Sequence, residues 1–316
     1  MPDELETMAY AAAGGVPWHG RGRSFNGIVT PNEMCVLAGA DWNVAKVPAF
    51  VTIHGKQVPL GREALYREDT GLILDSVTPD WKPVQNIEAF TFFEELSEAG
   101  GLTMETGGVL QEGRFVWALA RINQEFALFR GKDMVQTYLL FTNPHKYGWA
   151  TSVSWTAIRV VCMNTLMLSL STTSGDRIVR VNHRSDFVAS EVQEILGISK
   201  NKMDRYQEAA KFLAGKKAAE EMVEAYFEKL FPVRSDNSVN RVKDTSKGVG
   251  QLKKFLTEQP GSNYGEGTWW QAYNAVTYYL DHSKGRNVDT RLTSAWYGPS
   301  RRLKIKALET ALVMAA

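Results

Sequence analysis

The chain has 316 residues, of which 44% are hydrophobic and 22% charged, and its formal net charge is +1. That is about twice the length of one ordinary domain, with a globular composition able to bury a large core, which excludes collagen-like, low-complexity and disordered classes. A net charge so close to zero names no partner, and the longest apolar run, 160–170, is interrupted by Asn164, Thr165 and Ser169 and is too short to cross a bilayer.

The N-terminus, MPDELETMAYAAAGGVPWHG, starts acidic and lacks the basic stretch and apolar core of a secretory leader, so a soluble protein is expected. A short helix is expected over 4–13, and PWHGRGRSF (17–25) reads as an ordered loop or arm. Pro31 with Glu33 two positions later favours a helix start in PNEMCVLAGA. From Trp42 the pattern changes to short runs at 44–53, 56–60, 64–67 and 72–77, parted by HGK, GR and DTG, which predicts a β-meander.

Residues 85–99 space Ile87, Phe90, Phe93 and Leu96 along one helical face and stop at Gly100-Gly101. Strands follow at 103–110, 115–122, 134–142 and 149–155, with Gln111-Glu112-Gly113 suited to a hairpin link. Ile158, Val161, Cys162 and Leu166 then fall at helical spacing, which predicts a buried helix over 157–170 with Thr156 as N-cap. One more strand is expected over 177–183, then helices at 186–196, 201–231, 239–256, 269–282 and 303–314. The whole reads as an α+β fold: an antiparallel β-meander or sheet packed with helices, followed by an α-rich C-terminal half. Its divisions are an N-terminal arm and short helix over 1–41, an α+β core over 42–198 and a helical region over 199–316. Cys35 and Cys162, far apart and in apolar settings, read as reduced core thiols.

The common catalytic signatures are missing. GRGRSF has Phe25 where a dinucleotide-binding loop needs its third glycine, and no P-loop, H-E-x-x-H, C-x-x-C or G-x-S-x-G occurs. The five histidines (His19, His54, His145, His183 and His282) are isolated in sequence. No catalytic residue, metal ligand or cofactor is therefore assigned.

Three stretches carry cations in informative company. In WTAIRVVCMNTL (155–166), Arg159 falls in the first turn of the expected helix, where the helix dipole disfavours it without a partner. Either a protein carboxylate or carbonyl satisfies it, or it binds an anion such as phosphate together with the helix N-terminus. TNPHKYGWATSVSW (142–155) places His145, Lys146, Tyr147, Trp149 and Trp155 around an expected strand–loop–strand hairpin. Rings and cations interleaved in this way suit single-stranded nucleic acid, although Trp149, Val153 and Trp155 also fit a core-facing side. RIVRVNHRSD (177–186) brings Arg177, Arg180 and Arg184 close in sequence, and the C-terminal third, densest at RRLKIK (301–306), is locally basic.

ELETMAY with PWHG, DWKPVQN (80–86), YLLFTNPH (138–145), IRVVCMNTL (158–166), VNHRSD (181–186), and WWQAYNAVTYYLDH with SAWYG resemble the phage/plasmid-like family that carries domain of unknown function 932. The resemblance runs almost the full length. It implies a bacterial host cytoplasm and a role in the DNA metabolism of phages or mobile elements, and supplies no catalytic residues.

The leading expectation is a phage or mobile-element single-stranded DNA-binding protein, a recombination or strand-annealing factor acting as a homo-oligomer without a membrane. Its nucleic-acid contacts would be Lys146, Tyr147, Trp149, Arg159, Arg177, Arg180 and Arg184. Two alternatives stay open: a nucleotide- or nucleic-acid-processing enzyme with a dispersed site around His145, His183 and Arg159, and a host-interaction or anti-defence protein.

Overall fold

The computed structural model describes residues 5–14, 22–98, 101–159, 164–167, 179–181, 183, 200–232, 239–285, 291, 294–296 and 298–316. The chain divides into two compact units. Unit 1 joins Met1–Asn123, Tyr138–Trp155 and Arg177–Ile198, and unit 2 joins Gln124–Thr137, Thr156–Asp176 and Ser199–Ala316.

Unit 1 opens with β1 (Leu5–Ala11), β2 (Arg23–Phe25) and α1 (Pro31–Leu37). The expected helix over 4–13 is a strand instead. An isolated helix of under three turns gains little from propensity alone, whereas β1 gains a ladder on either side. It pairs antiparallel with β6 (Leu102–Leu110) and parallel with β2. The α1 start is as expected: Thr30 Oγ1 accepts from Glu33 N at 3.2 Å, while Thr30 N donates to Glu33 Oε2 at 2.7 Å. This reciprocal cap satisfies two of the orphan donors at the helix start.

A three-stranded sheet follows, β3 (Val44–Ile53), β4 (Lys56–Arg67) and β5 (Ile73–Val77), in the order β3-β4-β5. The two runs 56–60 and 64–67 are one strand. Gly61-Arg62 does not end it but sits where the β3–β4 register shifts between Pro48 and Phe50. Next come α2 (Asn86–Glu98), β6, and then β7 (Phe115–Leu128), β8 (Asp133–Pro144) and β9 (Thr151–Arg159), along which the chain passes between units. In unit 1 the larger sheet has the order β9-β8-β7-β6-β1-β2.

The core of unit 1 includes Met34, Cys35, Trp42, Leu65, Trp81, Phe90, Phe93, Met104, Phe141 and Val153. Phe93 meets Phe141 edge-on, with centroids 6.0 Å apart. Each such aliphatic or aromatic side chain contributes about 1.5–3 kcal/mol by leaving water. Cys35 is a free, buried thiol whose pKa burial raises to about 12, as an inert core residue should have. Cys162 lies outside the described residues.

The helix expected over 157–170 is overturned. Asn164–Met167 is strand β10, which pairs antiparallel with the end of β9 in the register Asn164↔Arg159, Thr165↔Ile158. Helical spacing of a few apolar residues does not separate a short buried strand from a helix, and the β-branched Thr156, Ile158 and Thr165 favour the strand. The helix N-terminus invoked for an anion at Arg159 is therefore absent. The strand expected over 177–183 is present as β11 (Val179–Val181), which pairs with β9 at Thr151–Val153. The helix expected over 186–196 lies outside the described residues.

Unit 2 is helical: α3 (Lys200–Gly215), α4 (Glu220–Leu230), α5 (Val239–Glu258), α6 (Trp269–Tyr278) and α7 (Pro299–Ala315). The sequence run 201–231 is thus two helices, parted at 216–219. Helix α6 touches α3, α4, α5 and α7. Thr268 caps it by accepting from Gln271 N, and its apolar residues run all round, as a central helix requires. Trp269, Trp270, Tyr206, Tyr226 and Tyr273 are fully buried there. Two of these polar atoms find partners across the unit: Trp270 Nε1 donates to Asp133 Oδ2 at 2.9 Å and Tyr226 Oη to Ala307 O at 3.0 Å.

After α6 the chain makes one π-helical turn, Tyr279–Ser283, which carries Asp281 inward to Lys304 Nζ on α7 at 2.6 Å. Lys304 is fully buried, and burial holds its pKa below the usual lysine range. Losing one partner of such a pair leaves an uncompensated buried charge. Asp281→Leu should therefore lower stability by about 3–5 kcal/mol, and adding Lys304→Met should recover much of the loss. Urea denaturation of the three proteins measures this, and equal losses in the single and double variants would contradict it.

Candidate functional site

The link between β8 and β9 carries the sequence's basic-aromatic stretch. His145 follows β8, and its N–H donates to Arg114 O at 2.8 Å. The chain then turns at Lys146-Tyr147-Gly148, closed by Trp149 N donating to Lys146 O at 3.2 Å. Gly148 has φ +80°, which a residue with a Cβ adopts only under strain.

Tyr147 is 42% exposed, and the Arg62 guanidinium lies 4.7 Å from its ring centroid. Arg62 is held by neutral partners on β5, the hydroxyl of Ser76 at 2.9 Å and the Ser76 carbonyl. Tyr147 N donates to Asp75 Oδ2 at 2.8 Å, so one carboxylate also borders the tip. Trp149 is only half-exposed and packs edge-on against Phe115, with centroids 5.1 Å apart. Val153 is fully buried and Trp155 packs on the core, as the core-facing alternative anticipated.

Of the other expected contacts, Arg180 lies in β11 opposite Ser152, and Arg159 ends β9 in unit 2 opposite Asn164. Their side chains, and all of Arg177 and Arg184, lie outside what is described. Among described side chains the structure brings Arg62 to Tyr147, with Lys146 next to it in sequence. Arg62 was invisible to sequence reading, because only the β4–β5 pairing and the turn at 146–148 bring it to Tyr147.

Next to the tip in sequence, a buried polar cluster joins three quoted motifs. Asn86, from DWKPVQN, donates through Nδ2 to Trp42 O at 3.2 Å, which fixes the direction of its amide. Its Oδ1 accepts from Asn143 Nδ2 at 3.1 Å and from His145 Nε2 at 2.8 Å, both from YLLFTNPH. Asn143 Nδ2 also donates to Val84 O, and its Oδ1 accepts from Thr151 Oγ1 at 2.8 Å. His183, from VNHRSD, donates through Nδ1 to Lys82 O at 3.0 Å and stacks on Trp81 with centroids 4.1 Å apart. The segment 82–86 thus anchors both histidines.

Each histidine keeps one bare nitrogen. Amide and carbonyl oxygens only accept, so the protons sit on His145 Nε2 and His183 Nδ1. His145 Nδ1 and His183 Nε2 are buried and have no hydrogen-bond partner among the described residues. Burial drives the His145 pKa down to about 3, with His183 and Arg67 adding to the shift, and burial also lowers that of His183. Arg67 stacks over Trp42 at 4.3 Å and is neutralised by Glu6 at 2.6 Å and by both oxygens of Asp69. Gly113, at φ +97°, leaves room for this stack: a Cβ there would stand 2.9 Å from Arg67 Cδ. Among the described residues no group of three or more His, Cys, Asp and Glu is placed to hold a metal ion. Nor is any helix among them long and apolar enough to cross a membrane.

The model of the domain of unknown function DUF932 matches residues 73–296. The chain belongs to that family. The DUF932 match contains α2, the 146–148 tip, both cluster histidines and helix α6, and leaves β1 to β4 and helix α7 outside. No curated protein and no solved structure matches the chain.

The two buried neutral histidines make stability depend on pH. Unfolded, each takes up a proton near the ordinary value of 6.5, whereas folded it resists. Between these values the unfolded state binds more protons, so stability falls as pH drops below about 6.5. Urea midpoints should decline from pH 7 to roughly pH 5, before most carboxylates titrate, and decline less in His145→Gln. A flat profile over that window would contradict neutral burial.

Proposed function

We propose that this DUF932 protein binds single-stranded DNA through the β8–β9 tip, as a recombination or strand-annealing factor of a phage or mobile element acting as an oligomer. One observation carries the reading: Tyr147 is an exposed ring stacked by Arg62, with Lys146 adjacent. A base stacks on such a ring while cations meet phosphates, and neither contact needs a particular sequence. Trp149 is a further stacking surface, and Arg159, Arg177, Arg180 and Arg184 further phosphate contacts, in this proposal. Asp75 beside the tip works against it, because a carboxylate repels phosphate.

Binding of labelled oligo-dT should weaken steeply as salt rises. Tyr147→Ala should cost about 1–3 kcal/mol of affinity. Lys146→Gln and Arg62→Gln should each reduce the slope of log affinity against log salt by about 0.7. No binding at low salt, or a Tyr147→Ala protein that binds as well as the parent, would overturn the proposal.

A second reading, a nucleotide- or nucleic-acid-processing enzyme, rests on the cluster, where His145 Nδ1 and His183 Nε2 are each buried without a hydrogen-bond partner among the described residues. Divalent-metal-dependent turnover of DNA or nucleotides that is lost in His183→Ala would support it over simple binding, and no turnover with any divalent metal would remove it.

A further inference from the structure

Among the described residues a second exposed ring carries a cation, and it lies in unit 2. Phe212, near the end of α3, is 38% exposed, and the Lys216 ammonium stands 5.1 Å from its ring centroid. An exposed ring with a cation at its face is the pairing that accepts a stacked base and a phosphate together.

The chain just past α3 is laced to the loop before α6. Trp269 N donates to Lys216 O at 3.1 Å and Ala218 N to Gly267 O at 2.9 Å. Lys217 Nζ donates to the Glu266 carbonyl at 2.7 Å, a neutral partner. The same loop receives the β7–β8 turn. The Phe129 ring lies so close to Gly265 that a Cβ there would stand 2.3 Å from Phe129 Cζ. Phe129 and Arg130 both have positive φ, 49° and 57°, which residues with a Cβ adopt only under strain. The strained turn sets Phe129 against Gly265 and leaves Arg130 and Lys132 exposed on either side of Gly131.

Four cations therefore border one loop. Arg130, Lys132, Lys216 and Lys217 are all exposed, and none pairs with a carboxylate among the described residues. The dipole of α3 favours the two lysines past its C-terminus, which accounts for them without a ligand. It does not account for Arg130 and Lys132, which come from a strand turn. On α3, Glu208 is offset by Lys211. Glu220, at the start of α4, acts with Glu224 on Lys253 of α5 and raises its pKa. Glu221 and Glu266 work against an anion, so the cations still outnumber them.

We propose that unit 2 carries its own contact for single-stranded nucleic acid, in which a base stacks on Phe212 while Lys216, Lys217, Arg130 and Lys132 meet phosphates. The inference rests on the reading of the protein as a strand binder and adds a surface that shares no residue with the β8–β9 tip. Titration of the full chain with labelled oligo-dT tests it, with circular dichroism to check the fold of each variant. Phe212→Ala should weaken binding by about fivefold or more. Lys216→Gln/Lys217→Gln should reduce the slope of log affinity against log salt by about 1.4, and Arg130→Gln/Lys132→Gln by as much. Lys216→Arg/Lys217→Arg should keep the slope of the parent. Binding that falls in Tyr147→Ala but is unchanged, in affinity and slope, in Phe212→Ala and both glutamine pairs would overturn this inference and leave the tip reading standing. An arginine pair that loses as much slope as the glutamine pair would also overturn it, because charge would not be what the strand meets. A parent protein that binds no oligo-dT at low salt would overturn both.

Discussion

The arrangement of unit 1 depends on a single buried oxygen. Asn86 Oδ1 accepts from Asn143 and from His145, while the same residue's Nδ2 holds the Trp42 carbonyl. Four segments distant in sequence meet there: the end of the 40–43 link, the start of α2, the end of β8 and, through Thr151, the start of β9. Fully satisfied, such a network fixes one geometry, because any slip leaves buried polar groups unpaired at about 1–3 kcal/mol each. The tip at 146–148 begins one residue past His145, so its position follows from the cluster. Tyr147 is presented to solvent because His145 is not.

The two units solve the burial problem differently. Unit 1 packs helices α1 and α2 with its sheets through aliphatic, phenylalanine and tryptophan side chains, and its polar interior includes the cluster and the Arg67 stack. Unit 2 wraps four helices around α6 and fills the interior with Trp and Tyr. Each of these large side chains brings a polar atom that must be answered, as Asp133 and the Ala307 carbonyl do. The Lys304–Asp281 pair adds charge to that interior and is reached only through the π turn after α6. The β3–β4 hairpin departs from both solutions, since its outer half leaves Phe50, Ile53, Val58 and Leu60 exposed.

Much of this was legible in the sequence. The meander, α2, the strands through β9 and the C-terminal helices follow from periodicity and punctuation, because those segments are long enough for their period to show. The failures fell where a segment was short or tertiary pairing decided the outcome. β1 lacks a clear alternation, and its strand identity comes from β6. The apolar run after Trp155 has helical spacing over only a few residues, and β-branched content with an available partner strand prevailed. At the site, Lys146 and Tyr147 were legible as a turn with a cation and a ring, whereas Arg62 was not, because register is a property of pairing. The histidines were noticed as isolated residues. That Lys82 and Asn86, four apart on the segment leading into α2, would anchor both of them has no signature in spacing.

The account rests most heavily on the protonation of that cluster, which long-range proton–nitrogen correlation spectra of the imidazole rings read directly at neutral pH. The structure predicts two neutral rings of opposite tautomer, His145 protonated at Nε2 and His183 at Nδ1, with the His145 signals unmoved as pH is lowered through the ordinary histidine range. A doubly protonated His145, or a proton on its Nδ1, would mean that Asn86 does not hold it. The cluster, and the placement of the tip that depends on it, would then be wrong.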